Sequence, residues 1–153
     1  DLANDPRVSG AGYVTAFWPQ PGQSFVDAAG GQLARWIEVD EAMGLSRIAD
    51  AAVPKVLPAG FAETAAGGAT TSLGAQSLLS FTEPSEHSAW GDNPVTYIVC
   101  TEDRVVPESA QRQMASNEPH TVIAEVAAGH FVMLTAPDVT AQAITDAAGR
   151  IIG

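Results

Sequence analysis

Two ionisable residues, Asp103 and His130, each follow a strand-like run and are candidates for a shared proton-transfer site. Asp103 comes just after the apolar run 95–101, and His130 follows the run 121–126. Neighbouring parallel strands lie about 5 Å apart, so the loops at their common carboxyl end can bring a carboxylate and an imidazole together. The carboxylate would fix the tautomer of the ring and leave its second nitrogen to act as a base toward a nucleophile. Spacing alone leaves open the alternative of a solvated acid and a loop histidine.

The residues that must position this pair have the pattern of a parallel sheet. Residues 95–101 are almost continuously apolar, which is typical of a strand buried on both faces. Pro107 fits the first turn of a helix that precedes a second strand at 121–126, and Pro137 opens a final helix with an apolar stripe. The order predicts a βαβα unit with a right-handed crossover.

The upstream residues predict one more core strand and then a cap. Residues 12–17 are predicted to form a buried strand. Short helical spacings follow at 33–40 and 45–52. An excursion of this kind between strands of one sheet is typical of a cap. We therefore expect an α/β fold divided into a core strand entering the cap (1–19), a helical cap (20–93) and a C-terminal core part (94–153).

The acidic composition of the chain disfavours some classes of binding partner. The 153 residues carry 18 acids and 7 bases, a formal net charge of −11, and no apolar run is long enough to cross a bilayer. Because this charge repels phosphate backbones and anionic lipid, we expect neither a nucleic-acid nor a membrane partner. Cys100 is the only cysteine, and the three histidines lack metal-ligand spacing. We expect no metal or cofactor and a cytoplasmic protein.

Four segments of the chain resemble a known family. The runs PVTYIVCTEDRVVPESAQRQMA (94–115) and AAGHFVMLTAPDVTAQAI (127–144) are similar to the C-terminal part of α/β-hydrolases in the esterase and hydroxynitrile-lyase-like branch. The runs NDPRVSGAGYVTAFWPQPGQSF (4–25) and QSLLSFTEPSEHSAW (76–90) look like the same branch. The resemblance implies that Asp103 of the TEDR turn is the acid of a catalytic triad and that His130 of the GH turn is its base.

The nucleophile that this resemblance implies is not found in the sequence. The family carries a serine on a G-x-S-x-G elbow ahead of the acid. The nearest similar run, at 70–74, has Thr in place of the first Gly, and its Ser72 is interpreted as a helix cap. We therefore expect the elbow upstream of Asp1, in an N-terminal half that is either a separate chain or a missing segment. Self-association of the chain is a further possible interaction.

Three aromatic residues are candidates for contact with a small-molecule substrate. Phe17 and Trp18 follow the first predicted strand, and Phe131 follows the candidate base, so they are predicted to line an apolar acyl or alcohol pocket. The resemblance implies hydrolysis of a small ester. Two alternatives remain. The first is hydroxynitrile-lyase chemistry on the same fold, which depends on a lysine in the cap, and Lys55 is the only lysine of the chain. The second is a noncatalytic binding module.

Overall fold

The computed structural model describes residues 5–57, 73–86 and 93–152. The predicted helix cap at Ser72 lies outside these residues. In chain order the elements are strand β1 (Ala11–Val14), helix α1 (Phe25–Ala28), strands β2 (Ile37–Asp40) and β3 (Leu45–Ile48), a 3-10 turn (Asp50–Ala52), helix α2 (Val53–Val56), strand β4 (Gln76–Ser77), helix α3 (Leu79–Thr82), strand β5 (Val95–Cys100), helix α4 (Glu108–Ser116), strand β6 (Val122–Val126), and helices α5 (Val132–Thr135) and α6 (Pro137–Ile152).

The chain divides into two compact units, residues 1–22 with 85–153 and residues 23–84. The first unit contains a parallel sheet in the order β1-β5-β6. In its register Val14 pairs with Ile98, and Ile98 pairs with Ala124. The predicted parallel arrangement of strand, helix, strand and helix is confirmed. The four-residue helix α5 between His130 and α6 was not predicted.

Strand β5 lies at the centre of this sheet and is buried along its whole length. Its alternate side chains enter two separate cores, as the pleat of a strand requires. Tyr97 and Val99 pack with Met114 of α4 on one face. Ile98 and Cys100 pack with Val126 and Val132 on the other face. Burial on both faces explains why β5 lacks the polar alternation of a half-exposed strand.

The beginning of β1 is packed tightly against the C-terminal helix. A Cβ atom on Gly10 would lie 2.7 Å from Cγ1 of Ile151 and 2.9 Å from the carbonyl oxygen of Pro94. That oxygen also accepts a 3.0 Å hydrogen bond from the Ala11 amide. Only glycine allows this close approach of α6 to the start of the sheet.

The second unit contains an antiparallel sheet in the order β2-β3-β4, and the prediction of helices at 33–40 and 45–52 was wrong for most of these residues. Gly44, with φ of 63°, forms the turn that folds β3 back on β2. Arg47 then pairs with Glu38 across the two strands at 2.8 Å. Four-residue strands are too short for their apolar spacing to be distinguished from one helical turn.

Within the described parts of the chain, no helix is both long and apolar enough to cross a bilayer.

The buried position of Ile98 predicts a large loss of stability when its side chain is shortened. Ile98 is 1% exposed, whereas Ile144 on α6 is 49% exposed. We expect Ile98→Ala to lower the free energy of unfolding by about 2–5 kcal/mol, because it leaves a cavity beside β5. The same substitution at Ile144 should change it by less than about 0.5 kcal/mol. Chemical denaturation compares the two variants, and equal losses would contradict this assignment of the core.

Candidate active site

The structure brings Asp103 and His130 together at the carboxyl end of the parallel sheet. Oδ2 of Asp103 lies 2.9 Å from Nδ1 of His130. The loops that carry them are joined by backbone hydrogen bonds, from the Thr101 amide to the Val126 carbonyl at 3.0 Å and from the Glu102 amide to the Ala128 carbonyl at 3.1 Å. The contact therefore follows directly from the pairing of β5 with β6.

The Asp103 carboxylate is surrounded by hydrogen-bond donors. Its Oδ1 accepts from the backbone amides of Val105 at 2.6 Å and Val106 at 2.9 Å, which closes the turn after β5. Its Oδ2 accepts from His130 and from the hydroxyl of Thr15. The Gln111 amide also donates to Oδ2, over 3.5 Å. Oδ1 thus has two donors and Oδ2 three, in place of the water that burial removes.

These donors keep the buried carboxyl group ionised. Burial alone would raise the pKa of Asp103, but the hydrogen bonds from His130, from Thr15 and from the two backbone amides outweigh it, so the pKa lies below the ordinary 3.8. Near neutral pH Asp103 is therefore an anion that accepts the Nδ1 proton of His130. This contact leaves Nε2 as the basic nitrogen of the neutral ring.

The His130 side chain is 30% exposed, whereas that of Asp103 is fully buried. Its ring packs edge-on against Phe131, with centroids 5.4 Å apart and an interplanar angle of 87°. An imidazole that is fixed by a buried anion and partly open to solvent can exchange a proton with a group outside the protein interior. This is the geometry of a general base.

The predicted aromatic residues divide between two environments. Phe131 lies at the candidate base. Trp18 is 1% exposed and forms a cluster of near-parallel rings with Tyr13 and Tyr97, at centroid distances of 4.4 and 6.1 Å. Phe17 packs against the same core. The structure thus places Trp18 in the interior of the first unit, and a role of Phe17 and Trp18 in substrate binding stays a prediction.

Sequence reasoning missed two side chains that support Asp103. Thr15 lies within the predicted strand 12–17 and Gln111 in the predicted helix after Pro107, and the sequence assigns neither of them a contact with the Asp103 turn. Gln111 is fully buried, and its amide accepts from the Cys100 amide at 2.9 Å and donates to the carbonyls of Cys100 at 3.1 Å and Val106 at 2.7 Å. A polar side chain on the inner stripe of a helix was the available signal for Gln111, since buried amides need partners.

Other chemistry has little support among the described residues. No group of three histidine, cysteine, aspartate or glutamate side chains in residues 5–57, 73–86 and 93–152 could hold a metal ion. Burial, followed by the charge of Asp103, raises the pKa of Cys100 to about 11, so its thiol stays protonated near neutral pH. A cleft of about 690 Å³ in the second unit is lined by Glu38, Asp40 and other residues of β2 and β3, and none of the predicted site residues lines it.

Comparison with known proteins gives a family match over most of the chain. Residues 2–143 match a family model described as alpha/beta hydrolase family. An α/β hydrolase of Aspergillus novofumigatus is 36% identical over 81 residues, which are 52% of this chain and 32% of that protein. Methylesterase 10 of Arabidopsis thaliana is 42% identical over 62 residues, which are 40% of this chain and 22% of that protein.

Solved structures share the fold of the chain. A pyrethroid hydrolase from Sphingobium faniae superposes with a TM-score of 0.72 at 22% identity, covering 95% of this chain and 63% of that chain. Polyneuridine aldehyde esterase superposes with a TM-score of 0.69 at 16% identity, covering 95% of this chain and 64% of that chain. The chain spans less than two thirds of the length of each of these relatives.

The contacts of Gln111 predict that its amide is required for stability. Gln111→Met keeps the side-chain length but leaves backbone groups of Cys100 and Val106 without these hydrogen bonds. We expect the free energy of unfolding to fall by roughly 2–4 kcal/mol. Gln113→Met, on the exposed side of the same helix, is the matched control and should change it by less than about 0.5 kcal/mol. If denaturation shows the two variants to be equally stable, Gln111 does not hold the turn.

Proposed function

The chain belongs to the alpha/beta hydrolase family, and from that premise we propose that Asp103 and His130 are the acid and base of a Ser-His-Asp hydrolase that cleaves a small carboxylic ester. The observation that carries this proposal is the 2.9 Å contact between the buried carboxylate and Nδ1 of a partly exposed imidazole. The order of the two residues along the chain, acid before histidine, agrees with the family pattern.

In the proposed mechanism His130 first accepts a proton from the nucleophile and then donates it to the leaving group. Its Nε2 takes the proton of a serine hydroxyl as the serine oxygen bonds to the ester carbonyl carbon. The imidazolium then gives that proton to the leaving alkoxide oxygen as the C–O bond breaks. The same steps with water as the nucleophile release the acid and free the serine. Asp103 stays ionised throughout and stabilises the imidazolium.

The serine is proposed to come from outside these 153 residues, from a separate chain or an additional segment of the same polypeptide. The sequence contains no G-x-S-x-G elbow. The share of the solved relatives that the chain covers, 63–64%, leaves room for such a segment. Strand β1 pairs only with β5 among the described strands, so its other edge is the place where a further parallel strand would join the sheet.

The ester class of the substrate is proposed from one relative. Methylesterase 10, which is 42% identical over the matched residues, is by its name an esterase of methyl esters. Phe131 lies against the proposed base and would supply apolar contact to the acyl or alcohol group. A small ester with an apolar portion is therefore the substrate to test first.

Removing either member of the pair tests the proposal. In the full-length protein we expect Asp103→Asn and His130→Ala to lower kcat for p-nitrophenyl acetate by about 10³-fold or more, because the base loses its tautomer or is absent. His120→Ala and Asp138→Asn, which change exposed residues of the same types, should retain kcat within about twofold. Undiminished hydrolysis by folded Asp103→Asn and His130→Ala protein would exclude the proposed roles.

A second experiment tests the nucleophile and the reaction. A fluorophosphonate probe should label a serine of the full-length protein outside residues 1–153, and phenylmethylsulfonyl fluoride should block the labelling. Hydrolysis of p-nitrophenyl acetate is expected without cyanide release from mandelonitrile. Cyanide release alone would favour the lyase reaction on the same fold. Absence of both labelling and turnover would favour a noncatalytic binding module.

A further inference from the structure

Thr15 has a backbone conformation that a threonine rarely adopts. It follows the last residue of β1 with φ of 41°, and within the described residues it is the only non-glycine residue with positive φ. Its amide donates a 3.0 Å hydrogen bond to the Ile98 carbonyl, and the residue is 2% exposed. A β-branched side chain is disfavoured in this region, so the surrounding structure must hold Thr15 there.

The strained backbone directs the Thr15 side chain at the proposed catalytic pair. Its hydroxyl donates a hydrogen bond to Oδ2 of Asp103, and its oxygen lies 3.4 Å from Nδ1 of His130. The hydroxyl and the imidazole therefore meet at one carboxylate oxygen. Thr15 and Asp103 are 88 positions apart in sequence, so this contact depends on the pairing of β1 with β5.

We propose that Thr15 is a positioning residue for the Asp103–His130 pair. Its hydroxyl holds Oδ2 of Asp103 against the imidazole and, as a hydrogen-bond donor, stabilises part of the negative charge of that oxygen. This sets the lower end of the pH range in which His130 acts as a base. This inference rests on the proposed hydrolase function. A donor that shares the carboxylate charge weakens the hold of that carboxylate on the imidazolium proton. The hydroxyl thus keeps His130 available as a neutral base at lower pH.

The neighbouring ionisable groups allow such a shift to be assigned to the pair. The Cys100 thiol and the Tyr97 hydroxyl are two ionisable groups that feel the charge of Asp103. Burial, followed by the charge of Asp103, raises the pKa of Cys100 to about 11 and also raises the pKa of Tyr97. Both groups stay neutral in the acidic range, so neither adds a change of charge to the acidic limb.

Replacement of Thr15 in the full-length protein separates the hydroxyl from the side-chain shape. Thr15→Val keeps the branched shape without the hydroxyl, and Thr15→Ser keeps the hydroxyl without the second branch. Without the donor the pair binds its proton more tightly, so we expect the acidic limb of kcat/KM in Thr15→Val to move to higher pH by about half to one unit. kcat should fall about fivefold with KM nearly unchanged. Thr15→Ser should retain the wild-type profile.

A measurement that does not use turnover distinguishes this inference from the proposed function. The ring-proton signal of His130, assigned by its loss in His130→Gln, should titrate at higher pH in Thr15→Val than in the wild type. Thr15→Ala serves as a second hydroxyl-free variant if Thr15→Val does not fold. An unchanged NMR midpoint and acidic limb in a folded hydroxyl-free variant, or the same shift in Thr15→Ser, would overturn the role of Thr15. Full activity of Asp103→Asn would instead overturn the hydrolase proposal and leave the NMR result to decide on Thr15.

Discussion

A carboxylate that is removed from water must be compensated by hydrogen-bond donors, and Asp103 imposes this requirement on the first unit. Its side chain is fully buried, so the free energy of its lost hydration has to be recovered from the protein. The donors come from four places along the chain: the residue after β1, the turn after β5, Gln111 of α4 and the loop after β6. None of these segments can satisfy the charge alone.

The parallel register makes this compensation possible. Pairing of Val14 with Ile98 brings Thr15 to the end of β5, and pairing of Cys100 with Val126 brings the following loops together. The side chain of Gln111 on α4 forms hydrogen bonds to the end of β5 and to the turn that contains Asp103. The stability of the sheet and the geometry of the acid–base pair are therefore two results of the same contacts.

The predictable features were those with a strong local signal. The almost unbroken apolar run of β5 indicated burial on both faces. The position of Asp103 and His130 after successive parallel strands made their contact one of two alternatives, and the resemblance of the TEDR and GH turns to a known family favoured it. The strands of the second unit were not predicted, because the four residues of β2 or β3 are too few to distinguish a period of 2 from a period of 3.6. Thr15 could not be found from sequence, because its role depends on a partner 88 positions away.

The pairing of β1 with β5 also affects how the chain folds and how it can vary. Ala11 and Val95 lie opposite each other in the register of β1 and β5, although all of residues 23–84 lie between them in sequence. The entropy of closing so long a loop rises only with the logarithm of its length, by about 0.6 kcal/mol for each doubling. Insertions or deletions in the second unit thus change the thermodynamic stability of the sheet little. The high contact order of this pairing instead slows folding, so variation in the length of the second unit is constrained more by folding kinetics than by equilibrium stability.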